Sequence, residues 1–164
     1  MEVKIYVANL ERYNAGYLVG EWVELPKDQD ELQEILQRIS KGAEIAIHDY
    51  SIEGVEGLRI GEYDNIQELN AEIDALYYAN DYIQELALAI VEAHGETITG
   101  AIGYAEHGDY TLYPECTTAQ ELGEYFADID FTLPQEVARY FDFEAYGEDV
   151  ANDGYFTSYG FLMG

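Results

Sequence analysis

Apolar positions change rhythm along the chain, and each change outlines an element. Val3, Ile5 and Val7 alternate with Lys4, Tyr6 and Ala8, the period-two pattern of a strand over Val3–Leu10. Glu11–Gly16 reads as a loop. Tyr17–Leu25 reads as a second strand, antiparallel to the first and ended by Pro26. Asp28 and Glu31 form a D-x-x-E capping box, and Leu32, Ile35, Leu36 and Ile39 follow at helical spacing up to Gly42. Glu44–Tyr50 reads as a third strand, and the glycine-spaced loop Ser51–Tyr63 closes a small α+β unit.

The middle of the chain is helical in rhythm. Asp64 and Gln67 suggest a second cap and box, and Ile66, Leu69, Ile73, Leu76 and Tyr77 make one stripe. Asn80–Tyr82 interrupts it. Ile83, Leu86, Ala87, Ile90 and Val91 resume it as far as Gly95. Thr97–Gly108 reads as a third short helix, against the grain of its glycines and β-branched residues. The last part is mixed: a strand at Asp109–Pro114, then a helix after Thr118 with Leu122, Tyr125 and Phe126 on one side. Pro134 opens another helix, Asp142–Asp153 is a further short one, and Gly154–Met163 is a closing strand. The fold class expected is α+β in three small consecutive domains. These are an N-terminal α+β domain (1–61) with a three-stranded antiparallel sheet, a central helical bundle (62–107) and a C-terminal mixed α+β domain (108–164). Domains of about 50 residues have little core apiece and must lean on neighbours or a partner chain.

Charge changes this picture more than composition does. Hydrophobic content is an ordinary 48%, yet 34 acids face 7 bases. Residues 1–60 hold 12 acids and 6 bases, residues 61–105 hold 9 acids and no base, and residues 106–164 hold 13 acids and one base, Arg139. A salt-adapted chain would be depleted in bases throughout, which the first sixty residues are not. Direct nucleic-acid binding is excluded, because phosphate neutralisation needs clustered Lys and Arg. Basic partners are favoured. The N-terminus resembles neither a signal nor a transit peptide, and no apolar run approaches the roughly 18 residues of a membrane span, so a cytoplasmic location is expected.

Catalytic and metal chemistry find little support. His48, His94 and His107 fall in no ligand spacing, and His48 is expected to make a structural hydrogen bond at a strand end. Cys116 reads as a semi-buried small residue. Asp128 and Asp130 begin a calcium-loop pattern, but Leu133 takes the glycine position and Pro134 follows. No nucleophile elbow, P-loop or dinucleotide fingerprint occurs, and with so many acids a carboxylate pair carries no information about hydrolysis. No cofactor, no metal and no catalytic residue are expected. What remains is regularly placed negative charge. Acids three or four residues apart on a helix, such as Glu68 with Glu72 or Asp81 with Glu85, stand about 5–6 Å apart. That is the order of the charge spacing of duplex DNA, about one per 3.4 Å of each strand. Such rows would suit a groove built to hold DNA.

Five blocks carry a family resemblance: "IYVANLERYNAGYLVGEWVELP" (Ile5–Pro26), "AIHDY" (Ala46–Tyr50), "ELN" (Glu68–Asn70), "YTLYPECTTAQELGEYF" (Tyr110–Phe126) and "YFDFEAYGEDVANDGYFTSYGF" (Tyr140–Phe161). They resemble, in order and over nearly the whole chain, the ArdA antirestriction proteins. The resemblance implies an elongated DNA mimic of three domains in series, a homodimer formed through the C-terminal domain, and a cytoplasmic protein carried on mobile elements. The implied partner is a type I restriction-modification enzyme, met at its specificity and methyltransferase subunits and blocked in both cleavage and methylation. The candidate mimic surface is then Glu62, Asp64, Glu68, Glu72, Asp74, Asp81, Glu85 and Glu92, with Asp109, Glu115, Glu121, Glu124, Asp128, Asp130, Glu144, Glu148 and Asp149. Tyr125, Phe126, Tyr140, Phe141, Phe143 and Tyr146 are expected to fill a small core and part of the dimer contact. Glu148 departs from the family, which usually has a base there. Two other readings remain open: a mimic aimed at a nucleoid protein or another defence nuclease, and a carboxylate-based hydrolase or cation-binding protein.

Overall fold

The computed structural model describes residues 1–164. Contacts divide the chain into two compact units, Met1–Ala79 and Asn80–Gly164. Both are α+β, and each contains a three-stranded antiparallel sheet. The expected fold class is found; the division into three domains is finer than these two units.

In the first unit, β1 (Glu2–Asn9) lies between β2 (Gly20–Leu25) and β3 (Ile45–Glu53). Alternation decides the faces: Val3, Ile5, Val7 and Val23 are buried, and Leu32, Leu36 and Ile39 of α2 (Gln29–Ser40) are buried with them. Each such side chain contributes about 1.5–3 kcal/mol on leaving water. The helix α3 (Ile66–Tyr78) adds Ile66, Leu69, Ile73 and Leu76 to the buried set and packs on β2.

Several expectations are corrected here. The loop after β1 contains a helical turn, α1 (Leu10–Asn14), because Asn9 accepts from the Arg12 N–H at 3.1 Å. The second strand starts at Gly20, not Tyr17, and Tyr17–Val19 is exposed. Asp28 caps α2, but Glu31 does not close the box; its carboxylate pairs with Lys27 at 3.4 Å. Asn65 caps α3 in place of Asp64, which accepts instead from the Gly61 N–H at 2.7 Å.

The second unit runs α4 (Asp81–His94), α5 (Ile98–His107), β4 (Thr111–Tyr113), α6 (Ala119–Asp130), α7 (Gln135–Ala138) and α8 (Phe143–Val150). A 3-10 turn (Ala151–Asp153) leads into β5 (Gly154–Thr157) and β6 (Gly160–Met163), and β6 is central in the order β4-β6-β5. The single closing strand expected from the sequence is therefore a hairpin. Gly160 makes the reversal at φ 122°, and the Thr157 hydroxyl donates to its carbonyl at 2.8 Å. The last expected helix stops at Val150 before the 3-10 turn. Gly123 and Gly147 bring α6 and α8 into direct backbone contact. A Cβ on either would lie 1.7 Å from a carbonyl oxygen, that of Phe143 or Ala119.

Candidate acidic interface

The two units differ in how their charge is compensated. The first carries 17 acids against 6 bases, and all three ion pairs lie within it: Lys4–Glu2, Lys27–Glu31 and Arg38–Glu21. The second carries 17 acids against Arg139 alone, and none of its carboxylates is ion-paired. Arg139 lies over the ring of Tyr140, 4.8 Å from its centroid. Every acid of this unit is exposed except Glu96, which is half-buried.

All seventeen candidate mimic acids reach solvent; only Glu72 is half-buried. Burial first, then the charges of Glu68 and Asp64, pushes the Glu72 carboxyl above the usual carboxylate range. Glu62, Asp64, Glu68, Glu72 and Asp74 belong to the first unit and the other twelve to the second. Helices group them. Glu68 and Glu72 share a face of α3, and Asp81, Glu85 and Glu92 follow one stripe of α4. Glu121, Glu124 and Asp128 follow one stripe of α6, and Glu144 and Glu148 share a face of α8, from which Asp149 is turned about 100° away round the helix. Asp109 and Glu115 flank β4.

Some of these acids also hold the fold. Glu92 accepts from the Ser158 N–H and hydroxyl at 3.0–3.1 Å, fixing the β5–β6 turn to α4. Glu121 closes a reciprocal capping box with Thr118. Hydrogen bonds from Thr117, then Thr118, hold its carboxyl below the usual range. Asp130 accepts from the Tyr146 hydroxyl at 2.5 Å, which pushes that phenol up. Glu124, Asp128, Glu144 and Glu148 cap no helix and hold no loop, although Glu124 accepts from its neighbour Gln120.

None of the six candidate aromatics is fully buried. Phe131, Phe141, Phe143 and Tyr146 form a ring cluster with centroids 4.9–5.8 Å apart, while Tyr125 and Phe126 pack on Tyr113. Tyr140 is 75% exposed, and Ile129, Phe131 and Val137 also reach solvent. Together they leave an apolar surface on the second unit.

Cys116 is buried outright rather than half-buried, and burial pushes its thiol up, which disfavours the thiolate. His48 makes ring contacts with Tyr6 and Tyr13, at 6.1 and 5.4 Å, in place of the expected hydrogen bond. No three His, Cys, Asp or Glu gather to hold a metal ion, and no helix is long and apolar enough to cross a membrane. Two buried polar residues within the quoted blocks have structural duties. Asn9 donates to the carbonyls of Ile39 and Ser40, and Asn70 bonds both the N–H and the carbonyl of Lys27. Sequence reading missed a cavity that His94, Tyr104, Tyr110 and Tyr155 line with two carboxylates. Its residues run from His94 to Gly164, and no spacing announces it.

Compared with known proteins, residues 5–163 match the family model described as antirestriction protein (ArdA). No curated protein matches the chain.

Proposed function

The chain belongs to the antirestriction protein (ArdA) family, and from that premise we propose that it acts as a DNA mimic in the DNA-binding groove of type I restriction-modification enzymes. An inhibitory role against restriction-modification enzymes comes with the family. The mimicry, the type I target and the block of both cleavage and methylation are our reading. One observation carries it: the second unit exposes sixteen of its seventeen carboxylates with no ion pair among them. A solvated helix face ordinarily mixes acids with Lys or Arg at i+4. Along α6, Glu121, Glu124 and Asp128 set a charge about every 5 Å of axis, against about 3.4 Å per strand of duplex. We place homodimerisation at the exposed aromatic surface of the second unit, in the cytoplasm, and assign no catalytic residue.

The test is competition. A purified type I enzyme is assayed for cleavage and for methylation of its DNA with increasing amounts of the chain. Both activities fall together if the DNA groove is occupied. Glu124→Gln, Asp128→Asn, Glu144→Gln and Glu148→Gln each weaken inhibition about fivefold or less, and about 100-fold in combination. Abolition by one of them with the fold intact would exclude a distributed mimic, as would inhibition of cleavage with methylation untouched.

A further inference from the structure

At the end of α5, Gly108 turns the chain at φ 77°, and Asp109 and Tyr110 lead into β4. In the sheet, Thr111 of β4 and Gly154 of β5 both lie opposite Met163 of β6. Tyr110 and Asp153, one residue earlier on each side, therefore come to the same end of the sheet. His94, the last residue of α4, and Tyr104 of α5 meet them there. They border an open cavity of about 320 Å³ lined by His94, Tyr104, Asp109, Tyr110, Asp153 and Tyr155, with the bare backbone of Gly154 and Gly164.

The rings pack on one another as a contiguous aromatic wall of the cavity. The His94 ring centroid is 5.3 Å from that of Tyr110 and 4.8 Å from that of Tyr155, and Tyr104 is 6.1 Å from Tyr110. Tyr104 and Tyr155 are 44% and 52% exposed, so their rings are open to a guest from solvent. Neither Asp109 nor Asp153 has an ion pair or a side-chain hydrogen bond within the chain. No Lys or Arg lines the cavity. An apolar guest would have to strip water from both carboxylates without replacing their hydrogen bonds. A cation meets ring faces and carboxylates together. A guanidinium fits both, since its plane stacks on rings, its fork matches carboxylates and it is weakly hydrated.

We propose that this cavity takes one arginine side chain of the DNA-binding partner. The proposal rests on the reading of the chain as a DNA mimic, because a groove that holds phosphates offers arginines to whatever replaces them. The cavity then adds a specific anchor to a surface whose other contacts are distributed.

Two measurements on the full chain test it. The first is an NMR titration with a blocked Gly-Arg-Gly peptide and its neutral citrulline counterpart. The arginine peptide shifts the ring signals of His94, Tyr104, Tyr110 and Tyr155 saturably, and citrulline binds about tenfold more weakly. The Tyr104→Leu/Tyr155→Leu variant, altered at two half-exposed positions, loses about tenfold in arginine affinity. Absent ring shifts, or equal affinity for the two peptides, would overturn the site. The second is inhibition by Asp109→Asn/Asp153→Asn against the charge-matched pair Glu106→Gln/Glu136→Gln, which lies outside the cavity. The cavity pair weakens inhibition about tenfold more than the matched pair. Equal losses would overturn the anchor and leave the mimic standing. A wild-type chain that binds the arginine peptide yet inhibits no type I enzyme would overturn the mimic, and with it the partner assigned to the cavity.

Discussion

Glu72 and Glu121 show how one residue type takes opposite parts in a crowded acidic surface. Burial, with Glu68 and Asp64 nearby, raises the Glu72 carboxyl, whereas hydrogen bonds from Thr117 and Thr118 lower that of Glu121. A carboxyl raised in the folded state takes up a proton on folding between its two pKa values. Its charged form therefore costs stability above the folded pKa, and the cost is absent below the unfolded value, about 4.3. Glu72→Gln accordingly raises Tm at neutral pH, by a small margin because a half-exposed group is screened. The gain vanishes below about pH 4, and paired thermal melts across that range check it; a gain equal at every pH would mean side-chain shape, not charge. Glu121 runs the other way: its contribution is present above the unfolded pKa and fades as pH falls through the lowered folded one. Thr118→Ala, which removes the reciprocal half of its box, costs about 1 kcal/mol in a chemical denaturation curve. Asn70 shows the same economy with a neutral side chain. It is buried with both amide atoms bonded to Lys27, so its place in the "ELN" block reflects a fixed loop after β2.

Among the elements, the α6–α8 contact depends most on two atoms that are missing. With a Cβ on Gly123 placed 1.7 Å from the Phe143 carbonyl oxygen, Gly123→Ala forces the helices apart and costs about 3 kcal/mol. Gly103, inside α5 with nothing within 4 Å of its Cβ position, behaves oppositely, and Gly103→Ala gains about 0.5–1 kcal/mol. Urea midpoints of the two variants against the parent chain check both signs. This contact marks what the sequence could announce. Strands and helices with a clear period, such as β1, α2, α4 and α6, were legible because one face of each is buried and the rhythm records it. The one-turn helix α1 was not, since a single Asn9 hydrogen bond decides it; nor was the β5–β6 hairpin, where Thr157, Ser158 and Gly160 stand among closely spaced aromatics. Of the acidic surface, exposure was legible from charge alone. The double duty of Glu92 was not, because Ser158 lies 66 residues away, and the ring-lined cavity joins the end of α4 and a residue of α5 to a sheet end in a way no window of sequence contains.

For the whole molecule, salt should act with opposite signs on folding and on inhibition. Like charges about 5–6 Å apart on the helices repel at distances shorter than the screening length, about 10 Å at 0.1 M. Added salt therefore relieves self-repulsion and raises Tm between low and moderate ionic strength. The relief is greater in the second unit, where 17 acids meet one base, than in the first, where 17 meet six. Trp22, the single tryptophan, lies on β2 of the first unit, so its fluorescence reports that unit while far-UV circular dichroism reports both. The dichroism transition should shift upward with salt by more than the Trp22 transition does. Equal shifts would mean that the two units unfold together, and no shift would mean that the carboxylates are already too well screened to strain the fold. Inhibition should weaken across the same salt range, because a basic groove that releases its counterions to an acidic guest loses that gain as bulk salt rises. A protein acidic merely through adaptation to salt would gain stability in the same way but would have no partner affinity to lose. The divergence of the two curves, one rising and one falling over one salt series, is therefore the signature of charge placed for binding.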